Sequence, residues 1–305
     1  MPKISWSTPI ENSSDATFRV WGLDISTRLA SAGLVQTADT GQINWVTVAR
    51  PAANAYGGYE IWRFDDTAQA TAPVFIKIEY GSSNNQTTPA LRVTVSSGTN
   101  GAGTPTGIVS SAITNYASGL LQANANITDF PSHVVHTEGY FALVFKMGAS
   151  SISAATSGFL TLFAFSVQRS VDNTGMPTSE AVMLLGCGNG NQATAAPPAS
   201  LLNYVSSTVN DAVTGTDIGF MPSKMTTSMV GPDPQIFLHW ASLPKMSPLV
   251  GTATYILSEV GLNSEFDLVL VGSTPRHYLA VGNSFRKTAH NGSSAILGTA
   301  ILWEN

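Results

Sequence analysis

The sequence predicts an all-β protein, an antiparallel β-sandwich or jelly-roll-like fold with few short helices. Short segments rich in Val, Ile, Phe, Tyr and Thr recur along the chain, and Gly, Pro, Asn and Ser punctuate them. Those side chains fit the pleated surface of a sheet, and the residues between them favour turns. Helical periodicity is scarce. The best candidate helices, at 114–123 and 198–205, are short and low in charge.

The segment PVFIKIEYGSS at 73–83 shows the strand pattern most clearly. Its even positions from Val74 to Tyr80 are apolar, whereas Lys77 and Glu79 lie on the other face, which is the period of two of a half-buried strand. Gly, Ser and Asn follow and predict a turn. We interpret Lys77 and Glu79 as a pair of neighbours on the sheet surface, worth roughly 0.2–1 kcal/mol, and not as catalytic residues.

The same features predict further strands and a domain organisation. The segment 159–165 is apolar on both faces and is expected to be a central strand between packed layers. The chain is expected to form a single large β domain or two packed β subdomains over 1–305, with a split into 1–175 and 176–305 as the alternative. The predicted strands are 18–25, 42–49, 59–64, 74–80, 91–95, 140–147, 159–169, 182–185, 235–240, 253–260, 267–271, 277–281 and 295–303.

Charged residues are few and unevenly placed. The chain has 14 basic and 19 acidic residues, which is 11% of the sequence, against about 25% in ordinary domains. Neither Val93–Thr128 nor Ala181–Asn210 contains a charged residue. Because the cores of protein interfaces are depleted of charge, these stretches are candidate contacts with a partner. Neutral loops and buried strands are the alternative.

Composition argues against several classes of function. A net charge of −5 with scattered basic residues predicts no nucleic-acid binding. The N-terminal MPKISWSTPIENSS has no apolar signal region, and the longest apolar runs are far shorter than the roughly 20 residues of a membrane span. A single cysteine, Cys187, excludes an intrachain disulfide framework. The sequence therefore predicts synthesis in a reducing cytoplasm.

Two motifs could hold a cofactor or a metal, but neither is predicted to. GCGNGNQ at 186–192 is glycine-rich, yet Pro197 and Pro198 follow where a phosphate-binding loop needs a helix. His133 and His136 lie near carboxylates, but residues three apart on a strand point to opposite faces. We expect neither a cofactor nor a metal.

Catalytic residues are not predicted either. Asp65 and Asp66 follow the strand EIWRF, and paired carboxylates can hydrolyse glycosides. Glu60, Glu79 or Glu138 could complete such a pair, but nothing in the sequence selects one. Adjacent carboxylates at the end of a strand are more commonly turn formers, and no nucleophile motif accompanies the histidines. The protein is expected not to be an enzyme, with a polysaccharide depolymerase that uses Asp65 or Asp66 as the least favoured alternative.

Aromatic residues suggest one contact site. Tyr56, Tyr59 and Trp62 are grouped in NAYGGYEIW, where the two glycines could hold Tyr56 outward on a turn. Exposed rings can stack on sugars, whereas core packing is the default for an aromatic residue in a strand. Tyr56, Tyr59 and Trp62 are thus candidate contacts for a glycan or another partner.

The segments GGYEIWRFDDT, PVFIKIEYGS and LRVTVSSGTNGAGTPTG, within Gly57–Gly107, together resemble virion structural proteins of tailed bacteriophages. The C-terminal PRHYLAVGNSFRKTAHNGSSAILGTAILWEN gives weaker support. The resemblance implies a particle component present in several copies, of the fibre, neck, tail, baseplate or capsid-decoration type. It supplies no functional residues.

The expected function follows from this resemblance and the low charge. We expect a non-enzymatic virion component that forms a homo-oligomer, with a trimer as the expected state, and binds other virion proteins. The chain has no repetitive shaft, which favours a compact module over a long fibre. A module that binds host-surface glycan is the alternative.

Overall fold

The computed structural model of the chain describes residues 3–8, 12–82, 89–110, 112–116, 130–146, 161–172, 174, 176–186, 201–205, 210–213, 237–239, 254–258, 266–270, 276–288 and 294–304. Within these residues the chain forms antiparallel sheets and one helix. The prediction of an all-β sandwich is therefore confirmed.

One sheet is built from the N-terminal part of the chain. Its strand order is β2-β3-β4-β5-β6, and β7 also pairs with β5. In β4, Ile76, Ile78 and Tyr80 are buried, whereas Lys77 and Glu79 are partly exposed, as the period of two predicts. The strands are β2 (Val35–Gln36), β3 (Tyr56–Arg63), β4 (Phe75–Ser82), β5 (Pro89–Thr99), β6 (Pro105–Val109) and β7 (Ile113–Tyr116).

A second, seven-stranded sheet has the order β1-β8-β9-β10-β11-β12-β13. The expected central strand, β10, lies in its middle between β9 and β11. Strands β10 and β11 also pair with each other, so the alternative split into 1–175 and 176–305 would separate two paired strands. The strands are β1 (Lys3–Thr8), β8 (Phe130–Thr137), β9 (Tyr140–Lys146), β10 (Thr161–Val171), β11 (Pro177–Gly186), β12 (Leu201–Val205) and β13 (Asn210–Val213).

A third sheet of five strands has the order β14-β15-β18-β17-β16. The backbone of β17 approaches β9 and β10, so this sheet contacts the seven-stranded one. Its strands are β14 (Phe237–His239), β15 (Thr254–Ser258), β16 (Phe266–Leu270), β17 (Arg276–Thr288) and β18 (Ser294–Glu304).

The predicted strand at 18–25 is wrong, because these residues belong to helix α1 (Asp15–Ser31). Its valine, isoleucine and aromatic residues favour a strand locally, but a capping box starts a helix just before them. Ser14 Oγ accepts from the backbone N–H of Thr17 at 3.2 Å, and Thr17 Oγ1 accepts from that of Ser14 at 2.9 Å. The residues that the helix buries are spaced three or four apart: Phe18, Trp21, Gly22, Ile25 and Leu29.

Three further element predictions need correction. The segment 42–49 is a turn and loop, in which Trp45 alone is buried, so it is no strand. Residues 114–116 and 201–205 form strands β7 and β12, where helices were predicted. The rest of those two segments lies outside the described residues, as does most of GCGNGNQ. Short polar strands such as β2 and β6 were not predicted, because they carry few apolar side chains.

The helix and the first two sheets share one hydrophobic core. Phe18 and Trp21 of α1 and Tyr80 of β4 belong to the same buried cluster as Phe141 and Phe165 of the seven-stranded sheet. The first strand is also attached to the helix, since the indole N–H of Trp6 donates to Asp24 at 2.8 Å. Residues that are far apart in the sequence therefore stabilise one another here.

The β5–β6 turn contains the glycine-rich loop of the sequence. Asn100 Oδ1 accepts from the backbone N–H groups of Ala102 and Thr104 at 2.8 and 3.0 Å, which closes the turn. The N–H of Gly103 donates to Asp39 at 3.0 Å and attaches the loop to the segment before β3. Gly101 and Gly103 have φ angles of +77° and +85°.

Gly103→Ala is expected to destabilise the protein more than Gly101→Ala. Both substitutions place a side chain in the left-handed region, at a cost of about 1–2 kcal/mol. A Cβ on Gly103 would also lie 2.0 Å from the Tyr59 hydroxyl oxygen, whereas one on Gly101 would meet nothing within 4 Å. Chemical denaturation of both variants checks this, and equal losses would contradict the close packing of Tyr59 on the loop.

Candidate functional site

A β-bulge in β3 decides which aromatic side chains share a face of the six-stranded sheet. Tyr59 pairs with Glu79 on β4, and the register then shifts so that Tyr56 pairs with Gly81. A Cβ on Gly81 would lie 2.7 Å from the Tyr56 ring, so this ring crosses the sheet directly over Gly81. Tyr56 and Tyr59 therefore lie on the same face as Glu79.

Charged side chains complete this face. Arg92 Nε and Nη2 each lie 2.5 Å from a carboxylate oxygen of Glu79, and Lys77 Nζ lies 3.9 Å from Glu79. The Arg92 guanidinium is 4.2 Å from the ring centre of Tyr56, and Lys77 Nζ is 4.5 Å from that of Tyr59. Lys77 and Glu79 thus form the predicted pair on the sheet surface, extended by a bidentate arginine.

Tyr59 is also attached to the loop before β3. The Tyr59 hydroxyl donates to the Thr40 carbonyl at 2.7 Å. The pKa of Tyr59 is raised, mainly by burial and to a lesser extent by the negative charge of Asp39. Burial alone would raise the pKa of Asp39, but hydrogen bonds from Thr99, Gly103 and others outweigh it and lower that pKa. Asp39 is therefore a structural acceptor that attaches the β5–β6 loop.

Trp62 does not join Tyr56 and Tyr59, and its prediction as a contact residue needs correction. It lies on the opposite face of β3, is 2% exposed and packs in the core. Its indole N–H donates to Glu60 at 3.3 Å. Tyr56 and Tyr59 remain half-buried, with a cation against each ring. A sugar cannot stack on Trp62 in this arrangement.

Glu60 is a buried carboxylate that sequence reasoning did not single out. It is 1% exposed and accepts hydrogen bonds from three aromatic side chains: Trp45 at 2.9 Å, Trp62 at 3.3 Å and Tyr80 at 2.7 Å. Burial, and then the charge of Glu60, raises the pKa of Tyr80 well above its usual value. The Tyr80 hydroxyl is therefore a permanent donor to this carboxylate.

The aromatic donors around Glu60 are held by the helix. The Trp45 and Tyr80 rings meet edge to face with their centres 4.8 Å apart. A Cβ on Gly22 of α1 would lie 1.9 Å from the Trp45 ring, so the indole rests directly on the helix backbone. No local sequence pattern shows that Trp45 donates to Glu60, because Trp45 lies in a loop 15 residues before Glu60.

A second buried polar cluster joins the six-stranded sheet to the seven-stranded sheet. Arg169 of β10 forms an ion pair with Asp66 in the β3–β4 connection, and their side chains are 3% and 2% exposed. Arg169 Nε donates to the Ala72 carbonyl at 2.9 Å, and the Gly139 N–H donates to Asp66 at 2.8 Å. We call this cluster the sheet joint; it comprises Asp66, Gln69, His136, Gly139 and Arg169.

The two predicted carboxylates therefore point apart. Asp66 is buried in the sheet joint, whereas Asp65 is 62% exposed and lies 3.6 Å from Arg63. Glu138, another candidate partner for them, accepts hydrogen bonds from the backbone and side chain of Thr67. These contacts hold the β3–β4 connection against the β8–β9 turn.

His133 and His136 occupy opposite faces of β8, as their spacing predicts. His133 Nδ1 lies 2.9 Å from Ser5 Oγ of β1, whereas the His136 ring packs on Phe64 with centres 5.3 Å apart. Among the residues that the structure describes, no group of three or more His, Cys, Asp or Glu side chains is placed to hold a metal ion. No helix in the same residues is long and apolar enough to cross a membrane.

The segment Gly57–Gly107, which resembles virion proteins of tailed phages, corresponds in the fold to most of β3, to β4 and β5 and to the turn into β6. Its described strands pair antiparallel in the order β3-β4-β5-β6, and their inner face covers helix α1. The chain matches no family model, no curated protein and no solved structure.

Proposed function

We propose that the protein is a non-enzymatic structural component of a tailed-phage virion, a homo-oligomeric module seated on the neck, tail, baseplate or capsid. The observation that supports this proposal is the use of charged side chains as internal attachments. Glu60 binds three aromatic donors, Asp66 binds Arg169 across two sheets, and Glu79 binds Arg92 across two strands. Carboxylates engaged in this way stiffen a framework.

The neutral edge of the six-stranded sheet is the surface that we assign to subunit contact. The first uncharged stretch begins in the buried part of β5 and continues into the exposed loop and β6. In the described part of the chain β6 is an edge strand, half-exposed and without charge. Edge strands of this kind invite pairing or coverage by a neighbour, and closed symmetry provides it.

The expected partners and location follow from the resemblance. The protein is synthesised in the bacterial cytoplasm and then assembles with copies of itself and with other virion proteins. Affinity comes from buried apolar area and from many copies acting together.

The molar mass in solution tests the proposal. Size-exclusion chromatography with light scattering is expected to give three times the 32.0 kDa of one chain, or another closed multiple. A stable monomer at all concentrations would contradict self-assembly and leave the glycan-binding alternative, with Tyr56 and Tyr59 as its contact residues.

A matched pair of variants tests the assigned surface. Ala102→Glu places a charge on the exposed loop of the neutral stretch, and Ala53→Glu places the same charge on an exposed turn outside it. Ala102→Glu is expected to shift the mass toward the monomer, because a charge at an interface core must be desolvated. Equal behaviour of the two variants would show that the subunit contact lies elsewhere.

A further inference from the structure

His136 lies where three parts of the fold meet. The ring is 5% exposed and is hydrogen-bonded to the backbone of Ala32, at the end of helix α1. It packs on Phe64, in the connection between β3 and β4, and the Arg169 guanidinium lies 5.2 Å from the same Phe64 ring. The residues that hold the six-stranded sheet to the seven-stranded sheet therefore surround this imidazole.

Two polar atoms of the sheet joint are buried without a hydrogen bond. His136 Nε2 and Asp66 Oδ1 have no partner among the residues described by the structure. In the neutral ring, Nε2 of His136 is therefore buried with a lone pair that accepts no hydrogen bond. A protonated ring would carry both an extra N–H donor and a positive charge into the same space.

The charges around this space do not accommodate a second cation. Asp66 and Asp65 face His136 from the β3–β4 connection, and Arg169 faces it from β10. Asp66 already binds Arg169, and Asp65 is largely in solvent, where its attraction is screened. Glu138 of the β8–β9 turn binds Thr67, and helix α1 contributes the backbone of Ala32. One buried carboxylate would have to balance two buried cations.

We propose that the sheet joint is acid-sensitive: protonation of His136 weakens the contact between the β3–β4 connection and the seven-stranded sheet, so that this contact opens in mildly acidic solution. This inference goes beyond the proposed function and does not depend on it. His136 is the side chain whose protonation makes this contact depend on pH.

The direction of the effect follows from linkage. Burial lowers the pKa of His136 from its ordinary value of 6.5. The nearby carboxylates and the Ala32 hydrogen bond raise this pKa, but they offset the effect of burial only in part. Below pH 6.5 the open form therefore binds a proton that the closed form does not. The opening constant should rise as the pH falls from 6.5 toward the lowered pKa, by at most about tenfold per pH unit, and it should level off above 6.5.

Hydrogen exchange of the full chain tests this, with rates corrected for the intrinsic effect of pH. The amide of Gly139, bonded to Asp66, and that of Phe64, bonded to Val74, report on the joint. Between pH 6.5 and 5.5 the wild type is expected to lose protection at these amides, by up to about fivefold. His136→Asn, which keeps a donor but does not titrate, should lose none.

His133→Asn is the matched control, because it removes the imidazole on the other face of the same strand. It should keep the wild-type response. An equal loss of protection in His136→Asn, or no loss in the wild type, would overturn the proposal.

If His136→Asn does not fold, ring titration of labelled histidine in the wild type decides the question. The His136 resonance is identified through its contact with Phe64. A midpoint below pH 6.5 supports the acid-sensitive joint, and a midpoint at or above 6.5 overturns it.

Discussion

Arg169→Met is expected to lower the free energy of unfolding by about 3–5 kcal/mol, the cost of leaving one member of a buried ion pair without its partner. Asp66 would remain buried with the Gly139 N–H as a donor but with no cation beside it. The Ala72 carbonyl would also lose the donor that now lies 2.9 Å away. Equilibrium denaturation with urea measures the loss.

The exposed pair Arg63 and Asp65 provides the matched control for this prediction. Arg63→Met removes the same kind of side chain from a pair of which one member is 62% exposed, so its cost should be within about 1 kcal/mol. The double variant Asp66→Asn with Arg169→Met should be less damaging than Arg169→Met alone, because no buried charge is left. If Arg169→Met costs no more than Arg63→Met, the sheet joint does not depend on this ion pair.

Glu60→Leu is expected to lower the free energy of unfolding by roughly 3 kcal/mol or more. The substitution fills the site with an apolar side chain of similar size, but it leaves the N–H groups of Trp45 and Trp62 and the hydroxyl of Tyr80 without an acceptor. Each buried donor that loses its partner costs about 1–3 kcal/mol before relaxation. Urea denaturation followed by tryptophan fluorescence measures both the stability and the environment of the indoles.

Tyr80→Phe serves as the control for Glu60→Leu. It removes one donor but leaves the carboxylate with two indole partners, so its cost should be about 1–2 kcal/mol. A Glu60→Leu variant as stable as the wild type would mean that the carboxylate does not organise the aromatic core. A larger loss of unfolding free energy in Glu60→Leu than in Tyr80→Phe would therefore show that the carboxylate acts as an acceptor for several donors and not for Tyr80 alone.

Regular strands were predictable because their signal is local. In β4 the alternation of apolar and polar residues reports directly on the two faces of the sheet. Helix α1 was missed because residues 18–25 contain side chains that favour strands. The signal that could have found it is the Ser14 and Thr17 capping box, followed by buried residues three and four apart.

The candidate contact site was predictable only in part. The grouping of Tyr56, Tyr59 and Trp62 is visible in the sequence, and the spacing of three already places Tyr59 and Trp62 on opposite faces of a strand. The face of Tyr56, however, depends on the extra residue at Gly57. A bulge of one residue reverses the alternation and so brings Tyr56 to the side of Tyr59. The local signal that could have found this bulge is the pair Gly57 and Gly58, because glycine inside a strand often marks a bulge.

The sequence by itself determined the all-β class, the alternation of the long strands and the scarcity of charge, because each is a property of composition or of neighbours along the chain. The tertiary structure alone decided that Asp66 meets Arg169, which is 103 residues away, and that Glu60 meets Trp45 and Tyr80. Buried polar groups need partners, and those partners come from whichever segments the fold brings together. Their roles as structural attachments therefore become visible only once the sheets and the helix are packed.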